Sequence, residues 1–90
     1  MTRVESPGGT LTTAPLVVVG TFYCTPREAT PHYEVHLAPD LGAPNPLVFV
    51  TVDEALYQDA LDAEATAQRF VATWHAEDRR RVLDRLEAAP

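Results

Sequence analysis

Residues 63–88, AEATAQRFVATWHAEDRRRVLDRLEA, decide the fold. Ala63, Ala67, Phe70, Val71 and Trp74 recur at i, i+4, i+7, i+8 and i+11, which is one face of a helix. The stripe breaks at Glu77-Asp78 and resumes at Val82, Leu83 and Leu86. This spacing predicts helices over residues 63–75 and 78–88, the second opening on Glu77 or Asp78, where the helix dipole favours an acid. Just upstream, Thr51-Val52-Asp53-Glu54 fits a capping box ahead of a helix over residues 53–61. Whether residues 53–88 make two helices or three stays open on periodicity alone.

The half of the chain before Asp53 has strand character. Residues 16–24, LVVVGTFYC, are β-branched and aromatic, with Gly20 suggesting a bulge or a close backbone approach. Residues 32–37 alternate strictly, with His32, Glu34 and His36 on one face and Tyr33, Val35 and Leu37 on the other. Residues 47–52 form a third strand, apolar on both faces. Strands followed by helices imply an α+β domain: a small, mainly antiparallel sheet of three or four strands with two or three C-terminal helices packed on one face. Residues 1–14, which contain Ser6-Pro7-Gly8-Gly9, read as a loose N-terminal arm, and residues 15–90 as a single domain.

Composition narrows the chemistry. The chain has 90 residues, a formal charge of −6, seven Arg and no Lys, so neither a P-loop lysine nor a Schiff-base amine is available. The lone Cys24 has no disulfide partner within the chain. No apolar run reaches the roughly 18 residues of a membrane helix, and no signal-peptide pattern opens the chain, so a cytoplasmic, non-enzymatic protein without a cofactor is expected. Ser6 has no nameable catalytic partner.

His32-x-Glu34-x-His36 offers metal-ligating side chains on one strand face. Alternate residues on a strand lie about 6.6–7 Å apart, so one ion engages two of the three and needs further ligands, with Cys24 or His75 as the sources. Matching the apolar faces of the first two strands aligns Leu16, Val18, Phe22 and Cys24 with Tyr33, Val35 and Leu37. That alignment places Cys24 in the core, away from the histidines. Arg79, Arg80, Arg81 and Arg85 form the candidate nucleic-acid element. On a helix they fan apart, with Arg81 paired to Glu77 and Arg80 to Asp84, and the net negative charge opposes phosphate binding.

Helices on one side of the sheet leave the other side apolar. Val17, Val19, Tyr23, Val48, Val50 and Val52 would form that second face, too apolar to stand in water. A homodimer packed sheet to sheet is the expected solution, with another protein partner or the N-terminal arm as the alternatives.

Overall fold

The computed structural model describes residues 9–90. Six strands and one helix follow in the order β1 (Leu11–Thr12), β2 (Leu16–Cys24), β3 (His32–Ala38), β4 (Leu47–Thr51), α1 (Glu54–Glu64), β5 (Arg69–Glu77) and β6 (Arg80–Ala88). The expectation of a sheet followed by two or three helices is overturned. One helix is present, and the segments expected as helices at 63–75 and 78–88 are mostly a β-hairpin.

Both periods coexist in the decisive segment, and burial chooses between them. Phe70, Ala72 and Trp74 alternate, and all three contribute to the core. Val71, Thr73 and His75 take the other face, and Phe, Val, Thr and Trp favour a pleated strand over a helix. In β6, Leu83 and Leu86 are three residues apart because Asp84 is an extra, unpaired residue: Trp74 pairs with Leu83 and Thr73 with Arg85. A β-bulge thus gives a strand the spacing of a helix. The hairpin closes on the Glu77–Arg80 pair through Asp78 and Arg79, at φ 52° and 64°. Positive φ at both positions marks a type I′ turn. Asp-Arg lacks the Gly that usually announces that turn.

The sheet closes on itself. The ring runs β5-β2-β3-β4-β6 and back to β5, with every pair antiparallel except β4–β6. The order of its first four strands is that of a Greek key, so the whole is a partly open five-stranded Greek-key barrel. That architecture hosts many unrelated functions. β1 extends the edge of β5 beyond β2, with Leu11 opposite Trp74 and Thr12 opposite Thr73. Residues 11–12 of the expected loose arm are therefore a strand. Ser6 and most of the Ser6–Gly9 turn lie outside the described residues.

Val18, Val35, Leu37 and Phe49 fill the barrel and are fully buried, joined by Ala72 and Leu83 from the hairpin. The helix lies across the barrel with Ala60 and Ala63 buried and Leu56 packed on the same core. Asp53, not Thr51, caps it: Asp53 Oδ1 accepts from Ala55 N–H at 2.9 Å, while Thr51 Oγ1 accepts from Asp53 N–H at 3.0 Å. The helix ends where the Thr66 hydroxyl donates to the Ala63 carbonyl at 2.8 Å and Ala67 turns to φ 58°. Among the described residues, no helix is long and apolar enough to cross a membrane.

Candidate metal centre

Closure gives every strand an inner and an outer face, and a second bulge decides which residues of β2 face outwards. Val18 pairs with Leu37 and Gly20 with His36, so Val19 is the extra residue. Past that point the parity of β2 reverses. Thr21 and Tyr23 join the inner set opposite Val35 and Tyr33, while Gly20, Phe22 and Cys24 lie opposite His36, Glu34 and His32. Cys24 is therefore not a core residue. It is half-buried on the outer face, beside the histidines from which an unbulged strand would have separated it.

Cross-strand neighbours bring Cβ atoms within about 4.5–5.5 Å, which a single strand does not do for alternate residues. One ligand atom each from Cys24, His32 and Glu34 lies within 4.8 Å of the others. A tetrahedral zinc-class ion holds such atoms about 3.2–3.8 Å apart, and His32 Nε2 and Glu34 Oε2 already stand at 3.8 Å. His75 is not part of the group.

The hydrogen bonds prepare two of these side chains. His32 Nδ1 lies 3.3 Å from the Thr30 carbonyl. A carbonyl only accepts, so Nδ1 is the donor in this contact, which turns Nε2 toward the cluster. That Nε2 faces Glu34 Oε2 at 3.8 Å. On the other side, His36 Nε2–H donates to Glu34 Oε1 at 3.0 Å. That hydrogen bond, more than the opposing effect of burial, holds the Glu34 carboxyl below its ordinary range. Burial and then the negative charge of Glu34 push the Cys24 thiol up, so the metal-free thiol is a weak nucleophile. Phe22 leans over Gly20 and sets its ring 4.7 Å from that of His36, so His36 is packed as well as hydrogen-bonded.

The other expected site residues are dispersed. Val17 and Val50 are buried within the single chain, Val19 and Val48 are half-buried, and Tyr23 and Val52 are exposed. Tyr23 lies across the bulge from Val17 and Val19 and packs beside Tyr33, which stacks on Tyr57 at 4.1 Å. The six residues do not form one free face. The arginines do not fan around a helix. Arg79 is in the turn and Arg80 lines the outer face, while Arg81 reaches over the Phe49 and Trp74 rings at 5.9 and 5.7 Å. Neither helical pair expected, Arg81 with Glu77 or Arg80 with Asp84, is among the ion pairs of the described residues: Arg80 and Asp84 lie four residues apart along β6, while Glu77 sits across the turn in β5 and bonds His75.

Asp84 instead turns to His75. His75 Nδ1 lies 2.7 Å from Asp84 Oδ2, and Nε2 lies 3.1 Å from Glu77 Oε1. Both ring nitrogens face acceptors, which suits the imidazolium. The Asp84 hydrogen bond, then that of Glu77, raises the His75 pKa. A pKa raised on folding contributes stability that is complete below the unfolded value of about 6.5 and is lost as pH rises through the folded value. Urea midpoints are therefore expected to fall as pH climbs from about 6.5 upwards. His75→Gln should flatten that slope, and an unchanged slope would exclude His75 as its origin.

Comparison with protein-family models, with curated proteins and with solved structures returns no match for this chain.

Proposed function

We propose that the protein binds one divalent transition-metal ion of the zinc class through Cys24 Sγ, His32 Nε2 and a Glu34 oxygen, with His36 orienting Glu34. The observation that carries this reading is the convergence of three different ligand atoms within 4.8 Å on one face of the β2–β3 hairpin. A sulfur, an imidazole and a carboxylate together suit zinc, cobalt or nickel rather than calcium or magnesium, which prefer oxygen alone. The Thr30 carbonyl on His32 Nδ1 and the His36 hydrogen bond to the Glu34 carboxylate are the kind of outer support that metal ligands need. Three protein ligands leave a fourth position for water or a small ligand.

Titration with Co(II) tests this directly. One equivalent should produce a thiolate-to-cobalt charge-transfer band in the near ultraviolet, displaced by Zn(II). Cys24→Ser should abolish the band. His36→Ala should keep the band while weakening affinity by about 10–100-fold, as loss of an orienting partner does. A simple ion-paired patch predicts no band at all. That result, or wild-type affinity in Cys24→Ser, would sink the reading.

A further inference from the structure

Next to the metal triad, the outer face of β3, β4 and β6 holds a cleft of about 180 Å³. Val50 and Val82 pair across β4 and β6 on its floor, and Val52 flanks it. His32 stands at one end, with Glu77 and Arg80 at the other. Arg80 has no carboxylate within ion-pair distance among the described residues. Its neighbour Glu77 is engaged with His75 instead. The cleft is thus a short trough with an apolar floor and, at one end, a guanidinium that no carboxylate of the described residues pairs.

We propose that this cleft binds a short-chain monocarboxylate, with its carboxylate on Arg80 and its hydrocarbon body over Val50 and Val82. The guanidinium fork matches a carboxylate in two parallel hydrogen bonds. Size limits the ligand, since drug-sized molecules occupy pockets of about 300–1,000 Å³. Charge limits it too. With Glu34 and Glu77 nearby and a net charge of −6, one arginine suits a single negative charge better than a phosphate dianion. The site stands on its own lining and does not require the metal reading, although His32 borders both.

The experiment is a titration of the metal-free protein with butyrate, followed by amide chemical shifts. Saturable shifts are expected at Val50, Arg80 and Val82, with binding weakened about tenfold or more in Arg80→Gln, since a charge-assisted hydrogen bond is lost. Butanol and butylamine should give no saturation, and inorganic phosphate should bind more weakly than butyrate. Equal shifts with butanol, unchanged affinity in Arg80→Gln, or no saturable shift with butyrate would each overturn the proposal. Because no metal is added, these outcomes are independent of the cobalt band that tests the metal centre.

Discussion

Phe49→Ala is expected to cost about 3–5 kcal/mol, the usual range for truncating a buried aromatic ring. Small domains hold about 5–15 kcal/mol in total, so this one change removes a large share of the stability. Phe49 is fully buried and faces Val35 across the β3–β4 ladder. Its ring meets Trp74 edge to face at 6.0 Å. β3 and β4 therefore meet the hairpin strands through this ring, and the Arg81 guanidinium covers its outer end at 5.9 Å. Removing the ring leaves a void in the middle of the barrel and takes one aromatic surface from under Arg81. A urea titration should show the midpoint falling sharply with the slope unchanged, which marks lost stability rather than an altered unfolded state. Trp74 is the only tryptophan, so its emission reports the same event. Phe22→Ala is the control: Phe22 is 48% exposed and should cost about 1 kcal/mol or less. A loss below about 1 kcal/mol for Phe49→Ala would mean that the ring is not at the centre of the core.

The strands before the helix were legible because their signals are local. Strict alternation at His32–Leu37, β-branching at Leu16–Val19 and the proline-rich loops between them depend on no distant partner. The hairpin was not legible, for two physical reasons. A bulge at Asp84 sets Leu83 and Leu86 at helical spacing, and a type I′ turn made of Asp78 and Arg79 lacks the Gly that would mark it. The parallel pairing of β4 with β6 joins segments about thirty residues apart, which no local pattern encodes. The site divides in the same way. His32, Glu34 and His36 stand out in the sequence, whereas the role of Cys24 depends on one extra residue. Gly20 hinted at a bulge, but the parity change at Val19 had to be carried through to Cys24 for the cluster to appear. A face built by pairing rather than by spacing is visible only once the register is known.

A pair of substitutions in β5 separates the strand from a helix outright, because the two structures demand opposite results. On a helical stripe of Ala63, Ala67, Phe70, Val71 and Trp74, Val71 points inward and Ala72 points to water. In the barrel the order is reversed. Ala72 is fully buried in the core, while Val71 lies on the outer side opposite Glu87. Ala72→Asp therefore places a carboxylate in the barrel, where the core cluster of the described residues is wholly apolar. The effective cost of burying such a charge is several kcal/mol, and the added volume strains a packed interior further. The expected outcome is a chain that is unfolded or close to it at neutral pH. Partial recovery should follow as pH falls and the aspartate protonates, since neutralising the group removes most of the penalty. Val71→Asp should cost only about 1 kcal/mol, from lost outer-face packing and weaker strand propensity. Circular dichroism and urea unfolding of the two variants decide the matter. A stable Ala72→Asp beside an unfolded Val71→Asp would return this segment to the helix and, with it, remove the ladder that closes the barrel.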